Sequence, residues 1–228
     1  MVKEIADYSA LSSLPPSEWA TYLDERSGLP GPRANLTLVT EVASVAQDDV
    51  IDPLLEDGRE FPVICAAAAI GRRADQPGFL ERARSFASDE RWRVQEGVII
   101  GLQLLGDDAP VEFKGIVELW TSSPDPYVKR VAVAAICEPR LLNHPDLSTA
   151  AIRACDSTTQ FITALPQEQR KLEAVRKLRK ALGYCWSVAM VGNPQIGLPA
   201  FRALDTGDSD VAWIVKQNLS KKRLRGLL

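Results

Sequence analysis

The sequence predicts an all-α fold built from stacked antiparallel helix pairs, and three observations predict it. Apolar residues recur at helical spacing through most of the chain, while strand-like alternation is nearly absent. Proline and glycine interrupt that periodicity at short intervals. An acid–aromatic–valine pattern also returns several times along the chain.

The helical stripes are clearest in two places. Val94, Val98, Leu102 and Leu105 form one face over 90–105. Val211, Ile214, Val215 and Leu219 do the same over 208–222. The run Cys65-Ala66-Ala67-Ala68-Ala69-Ile70 carries short side chains and predicts a helix packed closely on several sides. Breaks are predicted at Pro15-Pro16, Gly28 to Pro32, Gly58, Gly71, Pro77-Gly78, Gly106, Pro124 to Pro126, Pro139, Pro145, Pro166, Gly192 to Pro194 and Gly207. They leave about twelve helices of roughly 10–20 residues, with a longer piece over about 167–191. No linker is long enough to separate independent domains. The expectation is one α-helical repeat domain over 1–228. Residues 1–56 form its N-terminal helices, 57–137 the best repeats and 138–228 a basic C-terminal set.

The repeat is read by aligning segments. Asp89-Glu90-Arg91-Trp92-Arg93-Val94 and Asp210-Val211-Ala212-Trp213-Ile214-Val215 share Asp-x-x-Trp-x-Val. Asp125-Pro126-Tyr127-Val128-Lys129 keeps the acid, an aromatic, the valine and a basic residue. Fainter copies run from Asp57 to Ala67 and from Val175-Arg176 to Gly183. The valines at 63, 94, 128, 175 and 215 are separated by 31, 34, 47 and 40 residues, about the length of a helix pair with its turns. Asp89, Asp125 and Asp210 suit helix N-termini, where a carboxylate takes free N–H groups and meets the positive dipole end. Val94, Val128 and Val215 place one stripe against the preceding helix. Gly97, Ala132 and Ala181 let backbones approach at the crossings.

These segments resemble HEAT repeats, whose second helix commonly reads as an acid, a short gap, Val-Arg and a spaced Ala-Leu. The resemblance covers roughly 57–137 and 167–222. It implies a right-handed superhelix, or solenoid, of antiparallel pairs. Gln95 stands where the family favours a basic residue after the valine, and 141–165 departs from the pattern. Leu29 to Leu36 looks like a fixed lead-in to a helix rather than a repeat.

Composition narrows the function classes. The 228 residues carry a formal net charge of −3, with 46% hydrophobic and 25% charged residues, as in ordinary globular proteins. The charge is uneven. Residues 166–228 hold 12 basic and 5 acidic residues, net +7, and the remainder is net −10. Cys65, Cys137, Cys155 and Cys185 form no CxxC pair, and His144 is the single histidine, so no zinc site is expected. The four read as separate, buried, reduced thiols of a cytoplasmic protein. The first residues, Met1 to Asp7, carry acids where a signal peptide needs an apolar run, and no span suits a membrane.

No nucleophile elbow, HExxH, P-loop or dinucleotide fingerprint is present, and His144 lies in a polar turn before a helix. No catalytic residue, metal or cofactor is therefore assigned. Candidate binding residues are Trp92, Arg93, Trp213, Lys216 and Arg179. Each of the two tryptophans falls about 160° from its valine stripe at 100° per residue. An aromatic there either packs on the neighbouring repeat's turn or faces the solenoid groove, where a Trp beside Arg or Lys can hold a peptide or stack a base. A protein or peptide is the favoured partner of what reads as a non-enzymatic scaffold. Nucleic acid is the alternative, because the chain also resembles, more weakly, the HEAT-like DNA-alkylation-repair glycosylases. That resemblance implies a basic, Trp-bearing groove, but no motif carries their catalytic residues across.

Overall fold

A computed structural model describes Leu11 and residues 13–227; the acids of Met1 to Asp7 lie outside the described residues. The described chain is 76% helical and contains no strand. It falls into two compact units, Met1–Leu104 and Leu105–Leu228, with the boundary inside one continuous helix, where the sequence reading has a single domain.

The first unit holds α1 (Pro16–Glu25), α2 (Leu36–Val45), α3 (Asp48–Asp57), α4 (Glu60–Arg72), α5 (Phe79–Ala87) and the start of α6 (Trp92–Asp108). Its centre is α4. Every residue from Phe61 to Gly71 is buried, as the alanine run predicts. Helices α1, α2, α3 and α5 surround it. Helix α6 meets it backbone to backbone. A Cβ on Gly97 would lie 2.5 Å from the Ile64 carbonyl oxygen, and one on Gly71 2.8 Å from that of Val98. Gly71 lies one residue before the end of α4 at Arg72, so the break falls where it is expected. Helix α6 leaves no room for a side chain there. Gly106 likewise lies within two residues of the end of α6, against Phe113 and Leu141.

The stripe Val94, Val98, Leu102 and Leu105 is buried throughout. The lead-in before α2 is clasped as expected. Asn35 accepts from the Leu38 N–H at 3.2 Å and donates to the Arg26 carbonyl at 3.1 Å, and the Leu29–Pro30 peptide is cis.

The second unit holds α7 (Pro110–Thr121), α8 (Pro126–Ile136), α9 (Pro145–Ala164), α10 (Gln167–Arg170), α11 (Glu173–Gly192), α12 (Pro194–Arg202) and α13 (Ser209–Leu219). Its centre is α11, which contacts α8, α9, α12 and α13. Trp186 is core: it is fully buried, donates from Nε1 to Thr159 Oγ1 at 3.0 Å, and tilts against Phe201. The stretch 141–165, which fits the repeat pattern poorly, is mostly the twenty-residue α9.

Val63, Val94, Val128 and Val175 are buried, but Val215 is half-buried and Leu219 is exposed. The face that α13 turns to α11 is Val211, Ile214 and Asn218. Asn218 draws the stripe round. Its amide donates to the Leu182 and Ile214 carbonyls at 2.9 and 2.8 Å and accepts from the Ser187 N–H at 2.8 Å, so a polar side chain is satisfied in the core.

The thiols also differ from the expectation of four separate cysteines. Cys137, at the end of α8, and Cys155, in α9, bring their sulfurs to 3.7 Å, and Cys185 of α11 lies within hydrogen-bonding reach of Cys137. No three His, Cys, Asp or Glu among the described residues are placed to hold a metal ion. Burial pushes the Cys65 and Cys155 thiols up, and hydrogen bonding within the cluster, with burial, does the same for Cys137 and Cys185. Since the thiolate is the reactive form, iodoacetamide at pH 8 should modify all four more than about a hundred-fold slower in the native protein than in denaturant. Mass spectrometry of timed samples reads this, and equal rates in the two conditions would contradict the buried cluster.

Candidate functional site

Four of the five candidate binding residues form two aromatic–cation stacks, Trp92 with Arg93 in the first unit and Trp213 with Arg179 in the second. In the first unit, the chain enters α6 through a clasp at Asp89. Its carboxylate accepts from the Arg91 N–H at 2.8 Å and pairs with the Arg91 guanidinium at 2.7 Å. The same clasp stands before α4: Asp57 accepts from the Arg59 N–H at 3.3 Å and from the Arg59 Nε at 2.8 Å. The two clasps are thirty-two residues apart and share the form Asp-x-Arg. In each, the partner arginine's hydrogen bond is the largest influence, and it holds the carboxyl below its usual range. Asp125 does the same job for α8, accepting from the Tyr127 N–H at 2.8 Å.

Trp92 is the first residue of α6 and is 50% exposed. The Arg93 guanidinium lies 4.7 Å from its ring centroid and pairs with Glu60 of α4 at 3.3 Å. Glu60 was absent from the sequence candidates. It sits one repeat length before Arg93, and that spacing was the available signal.

In the second unit, α13 is capped by Asp208, which accepts from the Asp210 and Val211 N–H groups at 2.9 and 3.3 Å. Asp210, the residue expected to cap, lies inside the first turn and is buried. It is held there by cations: Arg179 pairs with one carboxylate oxygen, and Arg170 approaches the other at 3.5 Å. Arg170, 9% exposed, also pairs with Asp208 at 2.5 Å and donates to the Leu165 and Thr163 carbonyls, so it closes the C-terminus of α9 as well. Burial alone would raise the Asp208 carboxyl, but Arg170 and the two backbone N–H groups outweigh it and hold the group below its usual range.

Trp213 is half-buried beneath the Arg179 guanidinium, 4.9 Å from its ring centroid. The two tryptophans are therefore not structurally equivalent. Trp213 is the fifth residue of its helix and Trp92 the first. Trp213 packs on α11 at Gly183, where a Cβ would fall 2.9 Å from the indole. Gly183→Ala should thus displace Trp213, shift its emission and lower stability by about 1–2 kcal/mol despite the better helix propensity of alanine. Urea unfolding followed by tryptophan fluorescence checks this, and an unchanged spectrum would contradict the contact. Beside this stack opens a cleft of about 420 Å³ lined by Gln167, Arg170, Lys171, Arg176, Arg179 and Asp210. Lys216 is exposed in the last turn of α13.

Sequence reasoning missed a second buried cation. Lys129 is read from the sequence only as the basic residue after the valine in the repeat frame. Its ammonium donates to the Thr121 carbonyl at the end of α7 and lies 4.4 Å from the Phe161 ring centroid. Burial lowers its pKa.

Comparison of the chain with protein-family models, with curated proteins and with solved structures returned no match. No helix among the described residues is long and apolar enough to cross a membrane.

Proposed function

We propose that this chain is a HEAT-like scaffold, a right-handed superhelix of antiparallel helix pairs that binds a protein or peptide and works in the cytoplasm. One observation carries the reading. Each tryptophan stack is backed by a carboxylate, Arg93 by Glu60 and Arg179 by Asp210. A phosphate backbone would have to displace these acids, because duplex affinity comes from cations free to replace counterions. A mixed-charge protein surface needs no such exchange. The half-exposed Trp92 beside a held arginine is the kind of anchor that dominates protein contacts.

The test pairs two titrations. Peptides enriched from a random displayed library are titrated by anisotropy, and so are duplexes with and without an alkylated purine. Enriched peptides should lose about ten-fold or more in affinity on Trp92→Ala or Trp213→Ala, the effect of removing an aromatic anchor. The duplexes should bind weakly, fall off with salt and keep their bases. Peptide binding indifferent to both substitutions removes the scaffold reading. Tight duplex binding at physiological salt with release of the alkylated base replaces it with the glycosylase-like one.

A further inference from the structure

A pocket of about 290 Å³ opens in the second unit along α11, away from the tryptophan stack. Its apolar lining is Pro139, Leu142, Val188 and Val191, and its polar groups are Asn143 and Arg223. Tyr184, Val188 and Val191 stand at i, i+4 and i+7, so they share one face of α11. At 1.5 Å rise per residue, this face runs about 10 Å from Tyr184 to Val191.

The two ends differ in chemistry. At the Tyr184 end, Arg223 donates to the Tyr184 hydroxyl at 2.8 Å and stacks 4.5 Å from its ring centroid, and the Lys221 ammonium lies 5.9 Å from the same ring. No acid among the described residues pairs with Arg223 or Lys221. At the other end, Leu142 closes against Gly192, where a Cβ would fall 2.7 Å from the leucine side chain. Val191 is 42% exposed and Tyr184 44%, so aliphatic and aromatic surface stands open beside a guanidinium paired with no acid among the described residues.

We propose that this pocket binds a free medium-chain alkyl carboxylate, with its head on Arg223 and its tail along Val188 and Val191 toward Leu142. A guanidinium matches a carboxylate bidentately, and the remaining lining offers little to a more polar ligand. Size fits as well. At ~30 Å³ per water-sized group, the space takes about ten non-hydrogen atoms, those of an eight-carbon acid. Such an acid, fully extended, is about 10 Å long, the length of the α11 face. The inference is independent of the scaffold reading, and loss of peptide binding leaves it standing.

The experiment is calorimetric titration of the full chain with octanoate, 1-octanol, octylammonium and a short peptide ending in leucine. Octanoate should bind saturably, and at least about ten-fold more tightly than octylammonium. Arg223→Gln should weaken octanoate about ten-fold and leave 1-octanol unchanged, because it removes the charge and not the apolar floor. Val191→Glu, a change at a partly exposed position, should abolish octanoate binding with little change in the melting temperature. Octanoate no tighter than octylammonium, or indifference to Arg223→Gln, overturns the proposal. A peptide that binds more tightly than octanoate overturns it in favour of a chain terminus.

Discussion

Gly101→Ala should destabilise the protein by about 3 kcal/mol, near the upper end of what overpacking costs, although alanine is the better helix former by about 1 kcal/mol. A Cβ on Gly101 would lie 2.1 Å from the Ala68 carbonyl oxygen and 2.7 Å from the Arg72 nitrogen. Both are backbone atoms of α4, so no side-chain rotation relieves the clash. The two helices must separate, and the layer around the alanine run must open with them. Gly115 supplies the opposite case in the same chain. It lies exposed inside α7 with nothing within 4 Å of its would-be Cβ. Gly115→Ala should therefore stabilise by about 0.5–1 kcal/mol. Urea unfolding of the two variants decides the matter. A Gly101 variant as stable as the parent would contradict the close α4–α6 crossing.

Arg170→Met should cost about 3 kcal/mol or more, because it removes the cation from Asp208, leaves Asp210 to Arg179 alone and uncovers two carbonyls at the end of α9. The loss should also change the pH profile. The Asp208 carboxyl titrates below its ordinary value near 3.8. Its contribution is therefore fully present above that value and is lost as pH falls through the lower, folded one. In the variant this contribution is small throughout, so the gap between variant and parent should narrow below about pH 4. Chemical denaturation at pH 7 and at pH 3 measures this. A gap equally wide at both would show that Arg170 acts by packing alone.

The helical fold class was legible because the apolar stripes are long and regular. The valines at 63, 94, 128 and 175 are buried as their spacing predicts. Two kinds of contact were not legible. Gly71 and Gly106, read as breaks, do lie within two residues of the ends of α4 and α6, but the neighbours packed against them are encoded by no local pattern. The burial of Asn218, Lys129 and Asp210 was not read either: Asp210 was read as a helix cap, Lys129 as the basic residue of the repeat frame, and Asn218 carried no reading. Several of their partners come from separate helices, Leu182, Ser187 and Arg179 from α11 and Phe161 from α9. The aromatic–cation pairing at Trp92–Arg93 was visible from adjacency. That of Arg179 with Trp213 rested only on a charge cluster and a repeat frame. The frame itself slipped, because Asp208 and not Asp210 caps α13. The pocket at Arg223 had no sequence signal, since its lining is drawn from three separated stretches.

The burial of α4 on every side bears on how the first unit opens. A helix with one solvent face can fray, swing out or detach while its neighbours hold. Helix α4 has no such face from Phe61 to Gly71, so its amides reach deuterated solvent only when α1, α2, α3, α5 and the first turns of α6 let go together. Its backbone hydrogen bonds thus report the cooperative opening of the whole unit, while exposed turns such as Gly78 exchange on their own account. A small-residue helix of low intrinsic bulk should thus exchange most slowly in its unit, by position rather than by propensity.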